Sequence, residues 1–461
     1  MRGRVKSVGA KLDTTFNVLL DDAFRVISWD APQDELDEVF QYDPSGHRGA
    51  ILDGSNRPSK DADNSYFHDA EGNVTETRRY KRLIDFTGRD EFNGPTTGYS
   101  SVEGATGWYR VYVEPFVVRL DEAQVIGAVS WDPKDWEPIF EDQIDVVFSW
   151  GSVSNPTELN RFTISLDQNG EYATNSFFRA FDFYTTPPVE DTTLSITFEG
   201  DQADRVVLLR GAVRLSKLES VQQFDYDHQN RLIESKTFDV SPTGSVVLPG
   251  PINVDPIDTI TYRYDVFGNR IGKEFENATT SDTYYVYENG QAALRYNDQK
   301  ELVARNFYGA TGLSATDAIT HVGGQATVDV NTWVVTDRRG TVTDLLTNDG
   351  GSITRAHYAY RAFGDLVEDE NGETYEVAGD ATIAAKMDGA VLPRFVGRER
   401  DAETGLYFDG NRYADPRAGR FLTPTPTSLG SDYADSSHAG SLYKPQEGFK
   451  YTAASLYFEA W

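Results

Sequence analysis

The chain has 461 residues, with 43 Lys+Arg against 73 Asp+Glu, a net charge of −30 and no Cys. That charge argues against nucleic acid and an anionic membrane surface as partners, because Lys and Arg supply the affinity for both. The missing Cys removes disulfides, thiolate zinc sites, iron–sulfur clusters and Cys nucleophiles together.

Aromatic residues make up 13 % of the chain, mostly Tyr and Phe, which suit pleated, half-buried surfaces. The first sixteen residues, Met1–Phe16, begin with a basic run but lack the apolar stretch of a signal peptide. No segment reaches the roughly 18 apolar residues of a membrane-spanning helix, so membrane insertion is not expected. Helical periodicity is confined to two short runs, Glu35–Phe40 and Ala381–Met387.

A repeat dominates the remainder. An aromatic residue is followed by Asp, two further residues, often Gly, then Asn or Arg. Copies run over Tyr42–Arg48, His68–Val74 and Tyr264–Arg270, over Tyr226–Arg231 without the Gly, and more loosely over Tyr360–Asp365. Each copy reads as a hairpin turn, in which Asp accepts local N–H groups and Gly supplies a positive φ. The flanks agree: in Thr259–Tyr264, Ile260, Tyr262 and Tyr264 alternate with polar residues at strand period two. Asn289-Gly290 and Asn348–Gly351 separate further strand runs and predict hairpins.

Residues 96–215 lack the repeat and hold Trp108, Trp131, Trp136 and Trp150 among short strand-like runs. They predict an inserted antiparallel β-sandwich. The Pro-rich stretch Ser241–Asp258 reads as a loop. The expected division is 1–95 repeat, 96–215 sandwich, 216–336 repeat, 337–426 a distinct core, and 427–461 a short tail.

The four Trp are candidates for stacking on sugar rings, although strand placement favours a core role for Trp131 and Trp150. Asp61–Asn64 and Asp369–Glu373 cluster oxygen ligands, but neither completes a calcium loop with its distal Glu. The six His show no paired spacing, and no nucleophile elbow, phosphate loop or dinucleotide fingerprint occurs. No cofactor and no metal are expected.

From Asp337 onward the chain resembles the Rhs family in the segment known as the repeat-associated core. The resemblance rests on Asp337–Thr343, Tyr358–Gly364, Phe395–Tyr407, Asn411–Pro416 and Gly419–Pro424, together with the repeats. It implies a mostly β chain whose hairpins spiral into a partial shell, with the core plugging its end. In similar bacterial proteins the shell encloses a toxin, and the core is an aspartyl autoprotease that releases it. Arg412 and Asp415 stand at their motif positions, but Thr425 replaces a catalytic Asp, and no Asp-Pro-x-Gly follows. A hydroxyl cannot share a proton with a carboxylate as two acids do, so the protease is expected to be inactive. Arg412 and Asp415 are then expected to hold the core together through turn hydrogen bonds and an ion pair.

The reading is a non-enzymatic Rhs shell or surface scaffold, secreted or at the cell surface, and one piece of a longer assembly. The repeat residues suffice for little more than one turn of a spiral, so another Rhs-repeat chain is the expected partner, with toxin cargo in a separate chain. The alternatives are adhesion to glycans or proteins through the insert, and an active autoprotease.

Overall fold

The structure is a computed structural model. Apart from short breaks it describes residues 51–87, 206–240, 255–309, 312–367 and 374–424, strand segments between 96 and 200, and four strands within 2–39. Regular structure among these residues is strand in antiparallel pairs, with one α-helix, Ala381–Ala390. The chain is mostly β.

The repeat closes the same turn each time. The carboxylates of Asp69, Asp227, Asp265 and Asp337 accept the backbone N–H four residues on, at 2.7–3.0 Å. The residue third after each Asp takes the left-handed conformation: Gly72 (φ 92°), Asn230 (58°), Gly268 (87°) and Gly340 (83°). Asn stands in for Gly at 230 because its short polar side chain tolerates that region. A further copy runs over Asn297–Glu301, where the Asn297 side chain accepts the Glu301 N–H at 2.8 Å. The sequence pattern missed it, because Asn replaces the Asp and Lys300 carries the positive φ.

A second device joins one hairpin to the next. The hydroxyls of Tyr226, Tyr264, Tyr287 and Tyr360 donate to the carbonyls of Val74, Leu232, Arg270 and Val342 at 2.7–3.1 Å. Each acceptor is the first residue after the preceding repeat turn. Tyr226 and Val74 lie 152 positions apart, yet they meet as neighbouring repeats.

The strand register agrees. Val74–Thr87 pairs directly with Ala212–Tyr226 over residues 76–87 and 212–223. The largest sheet has 18 strands. Two of them, Gly107–Val113 and Arg179–Thr185, come from the insert; the others form an antiparallel meander from Ile51 to Ala378.

The insert is a sandwich that borrows one layer from the repeat. Gly107–Val113 pairs with residues 213–217 of the long strand on one edge and with Arg179–Thr185 on the other. The facing layer holds Gln143–Ser152, Asn155–Ser165, Thr193–Glu199 and Thr96–Gly98. Phe148 meets Phe181 edge-on at 5.5 Å, and Trp150 meets Phe183 at 5.4 Å, so aromatic rings fill the space between layers. Arg110 is fully buried and reaches out of the insert. It donates to the carbonyl of Asn64 at 2.6 Å and to Asp182 at 2.8 Å, over the ring of Tyr80.

Residues 381–424 form a plug against one face of the meander. The helix Ala381–Ala390 starts at Asp380, whose side chain accepts from Thr382 and Ile383. Its Ala384 and Met387 pack with Leu313, Val330, Leu345 and Ala356 of the sheet. A four-stranded sheet follows, Glu399–Arg400, Tyr407–Asp409, Arg412–Asp415 and Arg420–Phe421. Its Leu406, Tyr413 and Leu422 pack with Tyr66, Val74, Phe224 and Ile260. One short segment therefore touches strands from both ends of the meander, which bends around it. Sixteen strands at about 4.8 Å make a ribbon of about 77 Å; one turn of it has a radius of about 12 Å.

Two expectations change. Within the run Glu35–Phe40 the described residues Glu38–Val39 are a strand paired with Ser28 and Trp29 rather than helix, six residues being too few to offset helix nucleation. The second helical run does form and extends to Ala390.

Candidate functional site

The seam between meander and plug holds the densest buried charge. Arg270 follows the turn at Asp265, in the place where other copies carry Val74 and Leu232. It is fully buried and donates to Asp401 at 2.6 Å and to the Tyr413 hydroxyl at 2.7 Å, with Glu399 on its other fork. Phe408 lies under the guanidinium at 4.5 Å. Lys273, three residues on, donates to Asp401 at 3.3 Å and to Glu403 at 3.1 Å. Burial alone would raise the Asp401 carboxyl; Arg270 and Lys273 outweigh it and hold that carboxyl below its usual range. Burial likewise opposes the Lys273 charge, and Asp401 and Glu403 keep it above the ordinary lysine value. Every charge is spent on another across the seam, so the cluster clamps the plug to the sheet. Nothing in the motif Phe395–Tyr407 points to this role of Glu399, Asp401 and Glu403. The available signal was an Arg, shared with Arg48 of the first copy, at a position that the copies ending at Val74, Leu232 and Val342 fill with aliphatic residues.

Asp415 is fully buried beside that seam. Its Oδ1 accepts from the Arg417 N–H at 3.0 Å and the Ala418 N–H at 3.3 Å; Oδ2 faces Arg79 at 3.4 Å. The side chain closes the turn between Arg412–Asp415 and Arg420–Phe421 and ties it to the strand Val74–Thr87. The guanidinium of Arg412 lies over the ring of Phe421 at 3.8 Å. Thr425 lies outside the described residues. A second acid, Asp365, is pushed up by burial, with Arg417 working against that shift and Asp415 adding to it.

Trp150 is buried, with Tyr109 at 5.7 Å and Phe183 at 5.4 Å against its ring. Trp108 is half-buried against Tyr80, Leu218, Val221 and Phe238 and tilts on Tyr184 at 5.4 Å. The structure does not bring these two into one open groove. Trp131 and Trp136 lie outside the described residues, as do Asp369–Glu373 and the repeat copy at Tyr42. In Asp61–Asn64 the Asp61 carboxylate accepts the N–H groups of Asp63 and Asn64, and Asp63 pairs with Arg82 at 3.0 Å. No metal-ligating cluster of three acids or His occurs among the described residues, and no helix there is long and apolar enough to cross a membrane.

No family model matches the chain. It is 28 % identical over 170 residues to the probable deoxyribonuclease RhsB of Dickeya dadantii (strain 3937), which covers 36 % of this chain and 10 % of that protein. It is 27 % identical over 209 residues to the toxin subunit YenC1 of Yersinia entomophaga, covering 43 % of this chain and 20 % of that one. Among solved structures it resembles TcdB2-TccC3 without its hypervariable C-terminal region, at 15 % identity and a TM-score of 0.30, over 93 % of this chain and 19 % of that one. A TM-score at that level adds nothing to the fold described above. The sequence likeness and the repeat turns agree in relating this chain to the Rhs proteins. It spans about a tenth of the length of the deoxyribonuclease-named relative.

Proposed function

We propose that the chain is a non-enzymatic length of Rhs shell or secreted scaffold: one turn of wall closed on its own plug. The observation that carries this reading is the meander bent around residues 381–424 and clamped there by Arg270, Lys273 and Asp401. A radius of about 12 Å leaves no room inside this turn for a folded cargo, whose radius of gyration is about 13 Å at 100 residues. A toxin therefore belongs in the space walled by a neighbouring Rhs-repeat chain, which is the expected partner. Asp415 accepts from the turn N–H groups and faces Arg79, and Thr425 offers a hydroxyl where the protease needs a carboxylate. This supports an inactive core.

The test is intact mass after incubation at pH 5–8, together with light scattering over a concentration series. A single full-length mass and growth of the particle with concentration or with added upstream repeats are expected. A discrete cut beyond Pro426 would show an active protease. A strictly monomeric particle that shelters a protease-resistant cargo would sink the shell-segment reading.

A further inference from the structure

The sheet face turned away from the plug carries a trough that the shell reading does not use. Ala315 pairs in register with Phe307 on one side and with Trp333 on the other. Cross-strand partners share a face, so the small Ala315 forms a floor between two aromatic walls. Both walls stand in solvent, Phe307 at 43 % and Trp333 at 62 % exposure. The walls rise from strands two spacings apart, about 9.6 Å. A ring held between two aromatic faces needs carbon contacts of about 3.5–4.0 Å on each side, so one saturated six-membered ring fits.

Polar groups bound the trough along the strands. Two residues from Ala315, Asp317 accepts from Arg305 at 2.6 Å and from the Asn331 amide at 2.7 Å. Across the sheet, Asp344 takes Arg355 at 2.6 Å and His357 at 2.9 Å. Each carboxylate is matched by a guanidinium, so the surroundings are locally neutral on a chain of net charge −30. A neutral ligand suits such a place, and an anionic one is repelled by the chain as a whole. The apolar row Phe307–Ala315–Trp333, with Val335 beside it, is flanked by these paired donors and acceptors. That suits a ring with apolar faces and a hydroxyl edge better than an apolar protein surface.

We propose that Phe307 and Trp333 clasp a neutral pyranose ring of an oligosaccharide over Ala315, with the exposed Asn331 and Arg305, held in place by the buried Asp317, hydrogen-bonding its hydroxyls. The test is calorimetric titration of the full chain with maltohexaose, cellohexaose and laminarihexaose. Binding of at least one is expected, weakened at least about tenfold by Trp333→Ala, a loss of about 1.4 kcal/mol, and less by Trp333→Phe, which keeps a ring. Phe307→Ala acts in the same direction. Failure of all three sugars at millimolar concentration overturns the proposal, as does binding that Trp333→Ala leaves unchanged. Preference for heparin, or a change of oligomeric state in Trp333→Ala, would assign the trough to an anion or a protein instead. None of these outcomes bears on proteolysis or cargo, so the shell reading stands or falls separately.

Discussion

Two turns of this molecule have the same backbone and opposite surroundings. Asp265–Asn269 and Arg361–Asp365 both close with a glycine in the left-handed region, Gly268 at φ 87° and Gly364 at 94°. Both place an aliphatic residue and a Phe at the tip. Val266 and Phe267 are 93 % and 86 % exposed, whereas Ala362 and Phe363 are 2 % and 4 % exposed. Phe363 is covered by Tyr407 and Ala414 and lies over Gly419, where a Cβ would approach its ring to 3.0 Å. The local sequence makes the turn, and the plug decides whether its tip becomes core.

The comparison can be broken most forcefully through the clamp. Arg270→Ala leaves the buried Asp401 with Lys273 alone and the partly buried Glu399 without its cation, at a cost of about 3–5 kcal/mol. Thermal unfolding should show that loss, and limited proteolysis should cut first within 393–424; unchanged stability would mean that the seam is not what holds the plug. Phe363→Ala should cost about 3–5 kcal/mol, as for a large core truncation. Phe267→Ala should stay within about 0.5 kcal/mol, as at other exposed sites. Equal urea midpoints for the two would erase the distinction.

The glycines sharpen it further. A Cβ on Gly364 meets the Phe395 ring at 2.5 Å, whereas a Cβ on Gly268 meets nothing within 4 Å. Gly268→Ala should therefore cost only the backbone strain of about 1–2 kcal/mol, and Gly364→Ala distinctly more by equilibrium unfolding. Next in size is Tyr264→Phe, which removes the hydrogen bond to the Leu232 carbonyl and should cost about 1 kcal/mol.

The smallest effect concerns pH. His68 opens the copy at 68–74, where other copies carry Tyr; burial, with Arg57 beside it, pulls the imidazole down to about 4. The unfolded chain takes up that proton near pH 6.5 while the folded chain does not, so stability falls as pH drops from there toward 4. Urea midpoints at pH 7 and pH 5 should differ, and His68→Tyr should narrow the difference. An unchanged gap would place the titration elsewhere.

The turns were legible in the sequence because their chemistry is local: Asp, Gly and an alternating strand lie within a dozen residues of one another. Asn297 escaped because a neutral side chain plays the same acceptor role, and Lys300 pays a left-handed φ that only tertiary context can support. The clamp escaped for a different reason. Arg270 and Asp401 are separated by 131 positions, and no period connects them. Trp150 reads as core from its strand, but the floor at Ala315 depends on the register of three strands, which sequence leaves open.

The strand Ala212–Tyr226 carries Val74–Thr87 along one edge and, along the other, Gly107–Val113 followed by Leu232–Phe238. Three neighbours thus load one backbone in shear, the stiff direction of a hydrogen-bonded ladder. A tug on the sandwich travels along this splint into the wall rather than swinging a hinge. The register of the inserted layer cannot slip by a residue without dragging the repeat ladder with it, so the insert and the wall yield to force as one body.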